Sequence, residues 1–211
     1  ISLLLNIATM THIHSRYVST GHWTDPTDHA LVSVPMFELA GKTIGLIGCG
    51  DIGSAVGRIA AAFGMRVLAY RRHPDPSAGA YIRFVALDAL YAQSDIVSLH
   101  CPLTPQTRGM IDRAAIGRMK DGAVLLNTAR GGLLCERDVA DALDCGKLYM
   151  AGLDVLCDEP PAPDSPLARH PRVICTPHIS WMPRETRARL LRAAADNLLC
   201  FLEGNPQNVI V

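Results

Sequence analysis

Gly48-Cys49-Gly50-Asp51-Ile52-Gly53 follows directly on the apolar run Thr43–Ile47 and opens a segment, residues 52–63, that has the apolar spacing of a helix. In a strand–loop–helix unit, the first glycine of G-x-G-x-x-G permits a tight turn, the second lets a diphosphate approach the backbone, and the third lets the helix pack on the strand. The N–H groups at the start of the helix favour the phosphates. A glycine-rich turn without a ligand is the alternative, which the placement between strand and helix disfavours. We therefore predict a dinucleotide site at Gly48, Gly50 and Gly53.

Short apolar strands alternate with helices on both sides of this loop. The predicted strands are 43–47, 66–70, 96–99, 123–127, 149–154 and 173–176. The predicted helices are 1–18, 52–63, 87–92, 113–119, 136–145 and 184–202, with an irregular linker over 21–35. Because the strands are apolar on both faces, they indicate an α/β fold: a doubly wound, parallel, Rossmann-type sheet with flanking helices.

Composition excludes several classes of partner. The 20 acidic and 20 basic residues balance, so nothing indicates nucleic acid or an anionic membrane as a partner. The apolar runs are too short to span a bilayer. The seven cysteines are scattered singly, which favours free thiols and a cytoplasmic location. His12, His14, His22 and His29 fit no common ligand spacing, so we expect no metal site.

The end of the second strand bears on the choice of dinucleotide. An NAD-selective site places an acidic residue there to bind the ribose hydroxyls, whereas this sequence has Tyr70-Arg71-Arg72-His73. A guanidinium suits a 2′-phosphate, so we predict that NADP is favoured over NAD, with Arg71 and Arg72 at the site. The alternative is that Arg71 stacks on adenine or lies in solvent.

Three polar residues follow predicted strands, where sites in this architecture lie. They are Arg130, Glu159 and His178. Reduction of a 2-keto acid needs a cation to bind the carboxylate and a proton donor for the developing alkoxide, and arginine and histidine meet those needs. A carboxylate beside an imidazole favours its protonated form. Taken singly, each residue also has an ordinary structural interpretation: a surface ion pair, a solvated loop residue or a structural histidine.

Over essentially its whole length, the sequence resembles the D-isomer-specific 2-hydroxyacid dehydrogenase family. The matching segments, besides the glycine loop, are Leu39-Ala40-Gly41-Lys42-Thr43, Phe63-Gly64-Met65, Ser94-Asp95-Ile96-Val97, His100-Cys101-Pro102-Leu103-Thr104-Pro105-Gln106-Thr107, residues 127–132, Ala151-Gly152-Leu153-Asp154-Val155 and residues 176–180. Trp181 followed by Arg184-Glu185 is most similar to glycerate dehydrogenases, also called hydroxypyruvate reductases.

The resemblance implies roles for particular residues. Arg130 binds and orients the substrate, His178 is the acid/base, and Glu159 is its partner. The implied cofactor contacts are Asp51 and Ile52 at the diphosphate, Arg71 at the adenosine ribose, Cys101, Pro102 and Thr107 near the adenine and ribose, and Thr128, Ala129 and Asp154 near the nicotinamide, beside Arg130 and His178. Arg71 departs from the family's usual aspartate.

The resemblance also implies a domain organisation. Residues 1–25 form a helix and linker that contact a second copy in a homodimer, 26–180 form the dinucleotide-binding domain, and 181–211 form a helix that returns toward a substrate domain. Most of that domain precedes the point where this chain begins, so we expect a fragment that binds cofactor without efficient turnover. Two alternatives stay open: a nucleotide-sensing binding protein like the carboxyl-terminal-binding corepressors, and a relative acting on formate, phosphite or 3-phosphoglycerate.

Overall fold

The computed structural model describes residues 1–24, 34–73 and 79–209. The chain divides into two compact units, residues 1–177 and 178–211. A parallel sheet lies at the centre of the first unit. In these ranges the strands are β1 (Thr43–Ile47), β2 (Arg66–Tyr70), β3 (Ile82–Phe84), β4 (Ile96–Leu99), β5 (Ala123–Asn127), β6 (Leu148–Leu153) and β7 (Val173–Cys175). Their order across the sheet is β3-β2-β1-β4-β5-β6-β7, and every neighbouring pair is parallel. The predicted doubly wound sheet is confirmed. Its switch in direction falls between β1 and β4, the point where such sheets bind ligands.

Seven α-helices flank or follow the strands in the described part of the chain. They are α1 (Ser2–Thr9), α2 (Thr11–Ser19), α3 (Asp51–Ala62), α4 (Leu87–Gln93), α5 (Arg113–Arg118), α6 (Glu136–Asp144) and α7 (Arg184–Leu202). In the second unit, α7 exposes Leu191, Leu198 and Leu202. None of the helices in the described ranges combines the length and the apolar character needed to cross a membrane.

The core lies on both faces of the sheet, as the apolar strands predict. Along β5, Val124 and Leu126 belong to one buried cluster, whereas Ala123 and Leu125 belong to the other. Alternate side chains of a strand point to opposite faces, so a strand covered on both sides is apolar at most of its positions. All five residues of β5 and of β1 are buried.

The prediction of a single helix over residues 1–18 is wrong. Met10 has a left-handed backbone (φ 48°), and its N–H donates to the Asn6 carbonyl at 2.9 Å, which ends α1. Leu4 and Ile7 of α1 are buried with Met10, whereas α2 buries none of its residues, so the core-facing pattern ends at Met10. Most of the linker predicted over 21–35, with His29, lies outside the described residues.

Asp95 connects the starts of three central strands. One carboxylate oxygen accepts the N–H of Thr43 in β1 at 2.7 Å, and the other accepts from Nζ of Lys120, which precedes β5, at 2.8 Å. Burial alone would raise the pKa of Asp95, but the bonds from Lys120 and Thr43 hold it below its ordinary value. This stabilisation is present above the unfolded-state pKa and is lost as the pH falls through the lower folded-state pKa.

We expect Asp95→Asn to lower the free energy of unfolding by about 1–2 kcal/mol at pH 7, because hydrogen bonds to a charged acceptor are the stronger ones. The deficit should begin to shrink below about pH 4, where the carboxyl of the unfolded chain takes up a proton, and should vanish once the pH falls through the lower folded-state pKa. Urea unfolding of the parent protein and of Asp95→Asn at several pH values measures this difference in the free energy of unfolding. Asp121→Asn is the control, since the Asp121 carboxylate that pairs with Lys147 is exposed and its charge should matter little. An equal deficit at every pH would contradict this account of Asp95.

Candidate active site

The glycine loop joins β1 to α3, and its three glycines meet different surroundings. Gly48 has φ 94°, and a Cβ there would lie 2.6 Å from the backbone of His100 and Cys101. A Cβ on Gly53 would lie 2.4 Å from the Gly48 carbonyl oxygen, so α3 packs directly on the loop. At Gly50, a Cβ would meet no described atom within 4 Å. The loop therefore has no room for a side chain at Gly48 and Gly53, whereas the space beside Gly50 is empty of described atoms.

A groove of about 410 Å³ runs beside this loop at the carboxyl ends of β1, β2 and β4. Its lining includes these predicted cofactor residues: Gly48, Gly50, Arg71, Arg72, Cys101, Pro102 and Thr107. The other predicted contacts lie outside the lining: Asp51, Ile52, Gly53, Thr128, Ala129, Arg130, Asp154 and His178. The groove thus brings together the residues predicted for the adenosine half of a dinucleotide.

Arg71 lies at the junction of the glycine loop and the groove. Its Nη1 donates to the Cys49 carbonyl at 3.1 Å, and its side chain is half-buried. The interpretation of Arg71 as a solvent-exposed side chain is therefore wrong, because the hydrogen bond holds the guanidinium against the loop. Arg72 and His73 follow it along the groove and are exposed.

The part of the groove lining that follows β4 is held by local hydrogen bonds and is mostly uncharged. Thr107 Oγ1 donates to the Pro102 carbonyl at 2.7 Å and accepts the N–H of Thr104 at 2.8 Å. The Cys101 thiol lies 3.8 Å from the Met110 sulfur, and burial raises its pKa. This part of the lining suits the apolar face of an aromatic ring.

His100 also lines the groove, but it is not a cation there. Its Nε2 lies 2.9 Å from the Ser98 hydroxyl, and its backbone N–H donates to the Ile47 carbonyl at 2.8 Å. Burial lowers the pKa of His100 to about 4, so the imidazole is neutral at neutral pH. The positive charge at this groove therefore comes from Arg71 and Arg72.

The loop that carries Arg130 is fixed by Asn127, the buried last residue of β5. The Asn127 amide donates to the Arg130 carbonyl at 2.9 Å and accepts the N–H of Ala129 at 3.0 Å. The Arg130 side chain is exposed, with Nη1 donating to the Ala129 carbonyl at 2.6 Å. A Cβ on Gly131 would lie 2.0 Å from the Leu156 carbonyl, so this loop packs against the next one.

That next loop follows β6 and carries Glu159. The Glu159 carboxylate accepts the N–H of Leu156 at 3.1 Å. At the start of the loop, Asp154 is buried; its N–H donates to the Asn127 carbonyl at 2.9 Å, and its carboxylate accepts from the Thr176 hydroxyl at 2.6 Å. The loops of Arg130 and Glu159 therefore lie side by side at the carboxyl edge of the sheet.

His178 is the first residue of the second compact unit, three positions along the chain from the end of β7. It is half-buried and has φ 52°, in the left-handed region. A residue with a side chain pays a conformational cost there, and such costs concentrate at functional sites. The backbone of His178 thus supports its selection as a candidate.

The model of the NAD binding domain of D-isomer specific 2-hydroxyacid dehydrogenases matches residues 1–180. The chain belongs to this family. It is 46% identical over 211 residues to a hydroxypyruvate reductase of Blautia hydrogenotrophica, and 37% identical over 199 residues to a glycerate dehydrogenase of Methylorubrum extorquens. These matches cover 100% and 93% of this chain, respectively. Among solved structures, the D-lactate dehydrogenase from Aquifex aeolicus, complexed with NAD and lactic acid, has a TM-score of 0.86 at 30% identity over 97% of this chain.

The matches cover only part of each relative. The chain spans 66% of the hydroxypyruvate reductase, 62% of the glycerate dehydrogenase and 65% of the D-lactate dehydrogenase. The predicted resemblance to the 2-hydroxyacid dehydrogenase family is confirmed, and residues 1–180 correspond to its NAD binding domain.

Four residues of the candidate site are not among those predicted from the sequence. His100 and Met110 line the groove, Asn127 holds the Arg130 loop, and Glu136 accepts a backbone N–H from the Glu159 loop. His100 and Asn127 stand at or just after a strand's carboxyl end, so the strand-end rule that selected Arg130 would also have found them. No sequence signal marks Met110 or Glu136.

Proposed function

We propose that the protein transfers a hydride between a nicotinamide dinucleotide and a small 2-keto acid such as hydroxypyruvate or glyoxylate. The observation that carries the proposal is the pairing of a dinucleotide groove with the Arg130 and Glu159 loops at one edge of the sheet, in a chain of the 2-hydroxyacid dehydrogenase family. The names of the relatives, hydroxypyruvate reductase, glycerate dehydrogenase and glyoxylate reductase, support the substrate class.

The residues present fit the cofactor. Gly50 leaves open space at the N-terminus of α3, where a diphosphate can approach backbone N–H groups. Asp51 and Ile52, the first residues of α3, are exposed beside that space. In this proposal Gly48 and Gly53 shape the turn, and Thr128, Ala129 and Asp154 lie near the nicotinamide.

Each proposed catalytic residue has one task. Arg130 binds the substrate carboxylate and so orients the carbonyl carbon for attack. The reduced nicotinamide, when bound, supplies the hydride that this carbon accepts. His178 gives a proton to the carbonyl oxygen, which becomes the hydroxyl of the product, and Glu159 is the partner that orients His178.

We further propose that NADP is favoured over NAD, because Arg71 follows β2, lines the groove and is held there by its bond to Cys49. Arg71→Ala should raise the Kd for NADPH about 10- to 100-fold, the effect of losing hydrogen bonds to a charged phosphate. Fluorescence titration measures both dinucleotides, and NADH is the internal control because it lacks the 2′-phosphate. Equal weakening for the two would show that the substitution only disturbs the glycine loop.

The assay for the function is oxidation of NADPH or NADH by the full-length protein, driven by hydroxypyruvate or glyoxylate. The expected result is turnover with at least one 2-keto acid. In the reverse assay, reduction of NADP or NAD by only formate, phosphite or 3-phosphoglycerate would assign the protein to another branch of the family. Dinucleotide binding without turnover on any of these compounds would favour the nucleotide-sensing alternative.

We also propose that the protein is a cytoplasmic homodimer in which residues 1–25 contact the second copy and 181–211 return toward a substrate domain. Exposed apolar side chains on and after α2, namely Ile13, Val18 and Trp23, support the contact. All seven cysteines are free, which supports a reducing compartment. Light scattering on the full-length protein tests the dimer, and a monomeric mass would refute it.

A further inference from the structure

Glu136, the first residue of α6, bonds to the loop that carries Glu159. Its carboxylate oxygen Oε1 accepts the backbone N–H of Cys157 at 2.7 Å. The Glu136 side chain is half-buried, and a charged acceptor on a backbone N–H makes one of the stronger hydrogen bonds in a protein. The contact spans 21 residues of sequence, so it fixes two separate segments against each other.

Two carboxylates thus hold two consecutive N–H groups of one loop. Glu159 accepts from Leu156 at 3.1 Å, and Glu136 accepts from the next residue, Cys157. Burial raises the pKa of the Cys175 thiol, and the negative charges of Asp154, Glu136 and Glu159 raise it further. Glu136 and Glu159 therefore act on adjacent backbone positions of one loop.

Glu136 is also connected to the segment that carries Arg130. From Arg130 the chain passes through the 3₁₀ turn Gly131–Leu133 and two further residues into α6. Gly131 packs against the carbonyl of Leu156 and the nitrogen of Cys157, the same backbone that Glu136 holds. A shift of this backbone would change the spacing between Arg130 and Glu159.

We propose that Glu136 is a positioning residue, whose bond to the Cys157 N–H holds Glu159 at a fixed place relative to Arg130. The proposal rests on the proposed function, in which Arg130 binds the substrate and Glu159 serves the acid/base. Misplacement of catalytic groups by a change outside the chemistry reduces turnover more than it reduces cofactor binding.

A purely structural role is the competing explanation, since an acidic residue in the first turn of a helix stabilises the helix dipole. Asp138 provides the matched control. It lies in the same first turn of α6, but its carboxylate accepts the N–H of Arg113 at 2.9 Å rather than a bond from the Glu159 loop. Removing either charge affects the helix dipole alike, whereas only Glu136 contacts Cys157.

The test compares Glu136→Ala, Glu136→Gln and Asp138→Ala in the full-length protein. Glu136→Ala should lower kcat about 10- to 100-fold, with the Kd for the dinucleotide unchanged. Hydrogen exchange of the Cys157 amide should speed up about tenfold or more, because its bond to a charged acceptor is lost, and exchange of the neighbouring Leu156 amide should rise as the loop loosens. Glu136→Gln keeps an acceptor oxygen and should stay within about threefold of the parent kcat. Asp138→Ala should leave both kcat and these amides unchanged.

The outcomes separate this proposal from the proposed function. Unchanged kcat in Glu136→Ala, or equal losses in Asp138→Ala, would overturn the positioning role. Glu159→Gln serves as the reference. If it leaves kcat unchanged in an active enzyme, the catalytic role of Glu159 fails, and with it the positioning role of Glu136. If no substrate is turned over, the exchange measurement decides. Unchanged exchange of the Cys157 amide in Glu136→Ala would show that the Glu136 bond does not hold this loop, which overturns the positioning role.

Discussion

Replacing His178 with glutamine is expected to lower turnover of a 2-keto acid by about 10²–10⁴-fold, the usual contribution of a general acid/base. Glutamine keeps a polar side chain of similar length but has no proton to give at neutral pH, so the developing alkoxide loses its donor. The dinucleotide should still bind, because the groove beside the glycine loop is lined by residues of the first unit. Steady-state kinetics on the full-length protein, with a separate titration of NADPH, measure the two quantities.

His170→Gln is the matched control for this result. His170 lies shortly before β7, whereas His178 lies shortly after it. The Nε2 atom of His170 pairs with the Asp144 carboxylate at 3.2 Å. Its loss should affect stability rather than turnover. Parent-like turnover in His178→Gln would refute the acid/base assignment, and equal losses in both variants would point to a general structural effect.

Most strands of this fold are readable from the sequence because a sheet covered on both faces makes their central positions apolar on both sides. The exception is β3, which was missed. Ile82-Arg83-Phe84 is a short edge strand with an exposed arginine at its centre, so no apolar run marks it. The break at Met10 was missed for a different reason. A left-handed residue is ordinarily glycine or asparagine, and a methionine there gives no signal.

The candidate site was predictable to the extent that it follows chain topology. Parallel strands bring their carboxyl ends to one edge, so Arg130 and Glu159 were expected near each other, and their loops do lie side by side. Contacts such as that of Glu136 with the Cys157 N–H were not predictable. They depend on how far one loop reaches toward another, and neither residue spacing nor composition encodes that distance.

Replacing Gly50 with valine is expected to raise the Kd for a dinucleotide about a hundredfold or more, since the charge-assisted bonds of the diphosphate to the loop would be lost. No described atom lies within 4 Å of the position that a Cβ would take, so the new side chain fills the space proposed for the diphosphate. Gly50 has φ −91° and ψ −157°, an extended conformation open to any residue. The free energy of unfolding should therefore change by less than about 1 kcal/mol. Titration with NADPH and urea unfolding give the two values.

Gly48→Ala is the contrasting variant, because it should damage the fold first. Gly48 has φ 94°, and an added Cβ would lie only 2.6 Å from backbone atoms of His100 and Cys101. The substitution should therefore lower the free energy of unfolding by about 1–3 kcal/mol or more. Weak binding in Gly48→Ala can therefore follow from a distorted loop, whereas weak binding in a fully stable Gly50→Val can follow only from a blocked ligand site. If Gly50→Val binds NADPH with the parent Kd, the diphosphate does not lie at this loop. The hydride transfer proposed for Arg130 and His178 would then lack the site that aligns the nicotinamide with them.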